Sequence, residues 1–323
     1  MVEVSVVIPS FNYGRFIERA VTSVTGQSFA DIEVLVVDNA SRDETLDIVE
    51  RLSAADARIR LLRNEENRGI AASRNLGIAA AVGEWVTFLD ADDWYDSERI
   101  RSLLDTTRAE GCEFAADNQF FIEDGCETPW RMMLECEPEG VMGLDLDGFI
   151  DLNRLGFGDR TTIGLIKPFI RRRVLSDSRI LYRNDLPLCE DLDFELRLLE
   201  YLGRMVLVKR PLYFYRQHGG SATAANGEAV LLNNLRVTYA ALERQCLAVQ
   251  SPTRDRLARR AAKLEHALAC RKVINAVRSR RPLTTLKEIL RQPDALVSIA
   301  AGAARHARRT AKQRVAGRGV ATE

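Results

Sequence analysis

The chain has 323 residues, 46% of them hydrophobic and 28% charged, a globular balance that excludes wholesale disorder. Its formal net charge of zero conceals a division, because residues 251–323 carry 18 Lys and Arg against 5 Asp and Glu, whereas residues 1–250 hold 28 basic and 41 acidic groups. An acidic body followed by a basic tail points to contact with an anionic surface through the tail, and nucleic acid is not an expected partner.

The first 120 residues alternate strand and helix signals. Val4–Pro9 is a continuous β-branched run, as in a strand covered on both faces. Ser10 or Asn12 is placed to cap a helix whose inward face is Phe16, Ile17, Ala20, Val21 and Val24, and Gly26 fits its end. A second buried strand, Ile32–Val37, stops at Asp38-Asn39. Ser41-Arg42-Asp43-Glu44 then has capping-box spacing before a helix with Leu46, Ile48, Val49 and Leu52 inward. Arg60–Leu62 reads as a third strand, Ile70–Val82 as an Ala-rich helix ended by Gly83, and Glu84–Leu89 as a fourth strand ending at Asp90. After a helix over Ser97–Glu110 and a strand over Cys112–Ile122, Glu123–Gly140 reads as an acidic loop or hairpin. Leu188-Cys189 leads into a helix with Leu192, Leu196 and Leu199 inward, and Met205–Val208 and Leu212–Tyr215 read as two short strands. From about Val230 the chain is helical and Ala/Arg-rich, with breaks near Pro282 and Pro293.

This order defines an α/β fold with a Rossmann-like, mostly parallel sheet flanked by helices and a helical C-terminal extension. In such sheets ligands bind beyond the carboxyl ends of the strands, so Asp38 and Asp90 converge on one crevice. The expected division is a domain over 1–225, with halves 1–122 and 123–225, followed by a basic helical extension over 226–323. The six cysteines form no Cys-x-x-Cys pair and read as reduced thiols. No secretory signal opens the sequence, and no run reaches the roughly 18 apolar residues of a spanning helix, so the expected location is the cytoplasm.

Asp90-Ala91-Asp92 is the strongest local pattern. Carboxylates two apart after a buried strand present oxygens to one divalent cation, though Asp92 or Asp93 also suits the cap of a following helix. Asp38 reads as an acceptor for a base N–H or as an ordinary turn residue. Arg68 and Arg74 flank a helix start where a diphosphate fits, or else are solvated or pair with a crevice aspartate. Glu190-Asp191 reads as a catalytic pair or as acidic residues favoured by a helix N-terminus. His218 is a further metal or phosphate contact, or a solvated loop residue.

Six runs, SVVIPSFN (Ser5–Asn12), VVDNASRDET (Val36–Thr45), NRGIAASRNLGI (Asn67–Ile78), WVTFLDADDWY (Trp85–Tyr95), LCEDLDFELRL (Leu188–Leu198) and PLYFYRQHGGSAT (Pro211–Thr223), resemble glycosyltransferase family 2 in order and spacing. The resemblance implies a GT-A fold and inverting transfer from a nucleotide-diphosphate sugar, most often a UDP-sugar, to the hydroxyl of a glycan or lipid-linked glycan. It implies that Pro9, Ser10, Asn12, Asp38, Asn67, Arg74 and Asp90 hold the nucleotide, that Asp92, with Asp90 and His218, ligates Mn²⁺ or Mg²⁺, and that Asp191 is the general base beside Glu190. Acceptor contacts are expected within Glu123–Asp185, including Trp130 and Arg171-Arg172-Arg173. The alternatives are a donor-binding protein without turnover and a sugar-phosphate nucleotidyltransferase. The latter lacks its glycine-rich loop and lysine in PSFNYGRF, residues 9–16.

Overall fold

A computed structural model describes residues 2–153, 163–220, 227–245 and 251–278, together with the pairs 290–291, 294–295 and 298–299. In chain order the elements are β1 (Val4–Ser10), α1 (Gly14–Thr25), β2 (Ile32–Asp38), α2 (Thr45–Ala55), β3 (Ile59–Arg63), α3 (Ile70–Ala80), β4 (Trp85–Phe88), β5 (Trp94–Tyr95), α4 (Arg99–Glu110) and β6 (Phe114–Glu123). There follow β7 (Arg131–Met132), β8 (Val141–Leu144), α5 (Leu146–Leu152), β9 (Phe169–Arg171), α6 (Arg172–Ser178), α7 (Glu190–Leu202), β10 (Met205–Gln217), α8 (Gly227–Arg244) and α9 (Pro252–Arg278).

The strands form one sheet in the order β3-β2-β1-β4-β9-β6-β10-β5, with β7 on β6 and β8 on β10. Strands β3, β2, β1 and β4 are parallel, and β6 is parallel to β10. Between these blocks β9 runs antiparallel to both β4 and β6. The expected mostly parallel sheet is therefore present, but with an antiparallel insertion at its centre.

Each inner strand is buried on both faces because its residues alternate between two cores. Val7, Leu35, Val37, Val86 and Phe88 face one core, while Val6, Ile8, Val34 and Val36 meet Ile17, Val21 and Val24 of α1 in the other. Helix α3 approaches β1 closely at Gly77, where a Cβ would lie 2.2 Å from Val7 Cγ1, so glycine alone fits that contact. Val237 and Ala241 of α8 and Leu257 of α9 belong to the same buried cluster as Phe88, so these helices pack into the sheet's own core.

Two expectations about helix caps are corrected. Ser10 lies within β1, and neither it nor Asn12 caps α1, which has Tyr13 at its N-cap with no side-chain cap bond. The loop Ser41–Thr45 does that work from across the fold: Ser41 Oγ, Thr45 Oγ1 and Asp43 Oδ2 accept from the backbone N–H groups of Asn12, Tyr13 and Gly14. The capping-box residues thus serve the preceding helix, and α2 starts later, at Thr45. Similarly, the two short strands near residue 210 are one strand, β10, whose register slips between Val208 and Tyr213 around Pro211, a residue that cannot donate to the ladder. The breaks expected near Pro282 and Pro293 lie outside the described residues.

Candidate active site

The carboxyl ends of β1, β2 and β4 open on a cleft of about 970 Å³. Pro9, Ser10, Asn12, Asn39 and Asn67 line one side, Arg74, Asp90, Lys167, Glu190 and Asp191 its floor, and Asp92 and His218 its rim toward α1. Asp38 lies directly behind this wall, 1% exposed and paired in register with Ser10. Its Oδ2 accepts from Ser41 N–H, while its Oδ1 and the neighbouring Ser10 Oγ are buried without a hydrogen-bond partner. The polar side is made rigid by asparagines: Asn39 Nδ2 donates to Asn67 Oδ1, and Asn39 Oδ1 accepts from Asn64 Nδ2 and Arg68 N–H.

Arg74 joins the two halves of the sequence. On α3 and 1% exposed, it donates from Nη1 to Glu190 Oε1 at 2.7 Å and Asp191 Oδ1 at 2.6 Å, and from Nη2 to Asp90 Oδ1 at 2.8 Å. Of the sequence alternatives for this arginine, pairing with a crevice aspartate is the one present. Lys167, which no motif singled out, completes the floor. Its Nζ lies 2.8 Å from both Asp90 Oδ2 and Asp191 Oδ2. Its own backbone is fixed by Arg99 Nη2, which donates to Lys167 O, and Arg99 is in turn buried against Asp117.

These contacts set the charges. Burial pushes the Asp90 carboxyl up, but the Lys167 ammonium and Arg74 guanidinium outweigh it and hold Asp90 below the usual carboxylate range. Burial followed by the Asp191 charge raises Glu190. Burial opposes the charge on Lys167, yet Asp191 and Asp90 keep it firmly protonated.

The Asp90–Asp93 turn separates into three environments. Asp90 has one cation on each oxygen, Arg74 Nη2 at Oδ1 and Lys167 Nζ at Oδ2. Asp93 is buried and accepts from Tyr213 Oη and Arg216 N–H, which ties the turn to β10. Asp92 faces the cleft with Oδ2 at 2.9 Å from His218 Nε2, and burial together with the Asp90 charge raises its carboxyl. A hard oxygen and an imidazole nitrogen this close suit a divalent ion that also takes phosphate oxygens, and the nitrogen favours Mn²⁺ over Mg²⁺. Among the described residues no group of three or more His, Cys, Asp or Glu is arranged to hold a metal.

The expected acceptor arginines lie elsewhere. Arg171 pairs in register with Trp85, at the far end of β4 from the cleft. Arg171, Arg172 and Arg173 there engage Glu84, Gly83 O and Glu113. Trp130 is exposed and donates to Gln217 Oε1 beside β6. The cysteines at 112, 126, 136, 189 and 270 are free, as expected. No helix among the described residues is long and apolar enough to cross a membrane.

A mostly parallel sheet with acidic strand ends and a buried Arg–carboxylate cluster in the crevice at its carboxyl edge is a ligand-binding arrangement, and the fold by itself does not name the reaction. The model of the Glycosyl transferase family 2 matches residues 5–175, and the chain belongs to that family. Among relatives, it is 33% identical over 220 residues to the succinoglycan biosynthesis protein ExoO of Rhizobium meliloti, covering 68% of this chain and 62% of that protein. It is 31% identical to ExoU of the same organism, over 69% of this chain and 65% of the relative. The match thus spans a little under two thirds of these relatives' lengths. The fold is that of GT-A transferases. TarS 1–349 of S. aureus, solved with UDP-GlcNAc, superposes with a TM-score of 0.61 at 19% identity over 90% of this chain and 92% of that one. The mannosyltransferase PcManGT of Pyrobaculum calidifontis, solved with GDP-Man and Mn²⁺, gives 0.56 at 17% identity over 99% and 81%.

Proposed function

We propose that this chain transfers a sugar, with inversion, from a nucleotide-diphosphate sugar to an acceptor hydroxyl in surface-polysaccharide or glycolipid assembly. The observation that carries the reading is the floor of the cleft, where Arg74 and Lys167 stand between the donor-side Asp90 and the acceptor-side Asp191. Family membership and the succinoglycan relatives support the reaction class.

In this reading the nucleotide lies against Pro9, Ser10, Asn12 and Asn67, with its base N–H directed to the unpartnered Asp38 Oδ1. That single acceptor suits the imide N–H of uracil, and one neighbouring fold was solved with UDP-GlcNAc. Arg74 and Lys167 turn toward the diphosphate and stabilise the charge that grows on it as the glycosidic bond breaks. Asp191 takes the proton of the acceptor hydroxyl as its oxygen attacks the face opposite the leaving group. Glu190 shares Arg74 with Asp191 and keeps that guanidinium in line. Asp92 and His218 are the residues that would hold Mn²⁺ or Mg²⁺, which supplies further positive charge at the diphosphate.

The test is nucleotide release from a panel of UDP-, GDP- and TDP-sugars at fixed Mn²⁺, with a cell-extract glycan fraction as acceptor. Release from UDP-sugars above the other nucleotides is expected. A folded protein that releases no nucleotide from any donor would overturn the transferase reading.

A further inference from the structure

Strand β10 changes face at its register slip. Before Pro211, Met205 and Leu207 join one core and Val206 and Val208 the other. Simple alternation would place Tyr213 with Met205 and Leu207, but the slip turns it to the side of Val206 and Val208. There it is 0% exposed and pairs in register with Tyr95 of β5. Its hydroxyl spans the Asp90–Asp93 turn, accepting from Asp90 N–H at 3.2 Å and donating to Asp93 Oδ2 at 2.6 Å. The bond inside the turn, from Asp93 N–H to Asp90 O, fixes its shape but not its direction. Direction comes from β10, where Arg216 also donates from its backbone N–H to Asp93 Oδ1 and from Nε to Asp92 O.

Tyr213 is itself held from behind. The buried Arg99 guanidinium lies 5.6 Å from the centre of the Tyr213 ring and 4.1 Å from that of Tyr95. It donates to Asp117 Oδ1 at 2.9 Å and to Thr87 Oγ1 and Lys167 O at 3.3 Å each. One buried cation therefore backs both Lys167 and the tyrosine beneath the turn, the two sides of the 2.8 Å contact between Lys167 Nζ and Asp90 Oδ2. We infer that Tyr213 is a positioning residue: its hydroxyl, turned to this face by the slip at Pro211 and backed by Arg99, holds Asp90 against Lys167 and Asp92 against His218. The carboxylate turn is then in place before a diphosphate and its cation arrive. The use of the turn for donor and cation rests on the transferase reading above.

Tyr213→Phe in the full chain removes the hydroxyl and keeps the ring. Tyr95→Phe is the matched control, since it removes another buried hydroxyl, donated to Phe88 O. Mn²⁺ binding with and without UDP is followed by electron paramagnetic resonance, metal-free UDP binding by calorimetry, and folding by circular dichroism. Y213F should bind Mn²⁺ about tenfold more weakly and release nucleotide about tenfold more slowly, with metal-free UDP affinity unchanged and Y95F like the wild type in both. Wild-type Mn²⁺ affinity in folded Y213F overturns the tether. So does an equal loss in Y95F, an equal fall in metal-free UDP affinity, or no Mn²⁺ binding by the wild type. Amide exchange followed by NMR needs no variant: the Asp90 N–H should be protected in the wild type, and an unprotected one overturns the tether even where Y213F does not fold. Nucleotide release from the donor panel is scored separately. Weakened Mn²⁺ binding in Y213F, with no release from any donor by the wild type, removes the transferase reading and leaves the tether. Release with equal Mn²⁺ affinity in Y213F and the wild type removes the tether alone.

Discussion

At the Arg74 guanidinium three carboxylates share one cation, and Lys167 supplies the second. Two cations balance Asp90 and Asp191 only if Glu190 holds its proton, which is the direction in which burial and the Asp191 charge push it. Lys167→Met leaves Arg74 alone against two buried carboxylates and is expected to cost about 3–5 kcal/mol of stability. Adding Asp90→Asn should return part of that loss, because it removes the charge left uncompensated. Urea titration of both single variants and the double variant measures the coupling, and strictly additive losses would count against the shared cluster. Asp191→Asn keeps the size and the Arg74 contact but removes the proton acceptor. It should lower transfer by about 10²–10⁴-fold while nucleotide binding, followed by calorimetry, is retained. Wild-type transfer in that variant would remove Asp191 from the mechanism.

One turn further along α7, Glu195 is 0% exposed and neither of its carboxyl oxygens has a hydrogen-bond partner. Burial, and then the Asp191 charge, raise it well above the usual carboxylate range, with Lys167 and Arg74 opposing. A raised carboxyl binds its proton more tightly in the folded chain than in the unfolded one. Its contribution is therefore fully present below the unfolded value near 4.5 and is lost as the pH rises above it. Glu195→Gln keeps the shape without a titrating proton, so the decline of Tm with rising pH should be shallower in the variant. Parallel Tm–pH curves for the two proteins would show that Glu195 is not the source.

At the scale of elements, the N-terminus of α7 is held from the C-terminal helices. Cys189, immediately before Glu190-Asp191, has a left-handed backbone at φ 65°, a conformation its side chain disfavours. Asn234 of α8 fixes it by donating from Nδ2 to Cys189 Sγ at 3.0 Å, and Asn234 Oδ1 accepts from Arg260 Nη2 of α9 at 2.9 Å. Arg260 is a buried cation whose partners among the described residues are the neutral acceptors Thr238 Oγ1, Asn153 O and Asn234 Oδ1, and burial draws its guanidinium down to about 10. Asn234→Leu should lower kcat by roughly tenfold, equivalent to about 1.4 kcal/mol, through displacement of Asp191, with nucleotide affinity unchanged. An equal loss of nucleotide affinity would mean general destabilisation instead.

The same scale explains what could be read from the chain itself. Strands β1, β2 and β4 announced themselves because burial on both faces requires unbroken runs such as Val4–Ile8, and Asp38 and Asp90 stood out as charges at their ends. Arg74 was visible as a cation near that crevice. Lys167 was not, because it sits alone between short elements and acquires its role only when β9 inserts antiparallel between β4 and β6. The Ser41–Thr45 caps were misassigned because spacing along a chain cannot reveal a hydrogen bond to a different helix. Arg171–Arg173 fall within the stretch Glu123–Asp185 expected to meet the acceptor, whereas strand direction carries them to the end of β4 opposite the cleft.

Over the whole molecule the charge division gives the last consequence. The acidic groups gather in the first 250 residues, and Arg305, Arg308, Arg309, Lys312 and Arg314 follow the apolar stretch Ala295–Ala304 near the end of the sequence. Basic residues near an anionic bilayer each contribute about 1 kcal/mol, while the acidic body is repelled, so the tail would orient the chain on the surface. We propose that the residues beyond Pro293 supply this attachment. Full-length protein should float with vesicles containing phosphatidylglycerol and stay behind with neutral ones, and a chain ending at Pro293 should lose most of that binding. Raising the salt to about 0.5 M shortens the Debye length to a few ångströms and should release the full-length protein as well. Equal flotation of the two chains would place the attachment outside the tail, and salt-resistant binding would identify it as apolar insertion rather than charge.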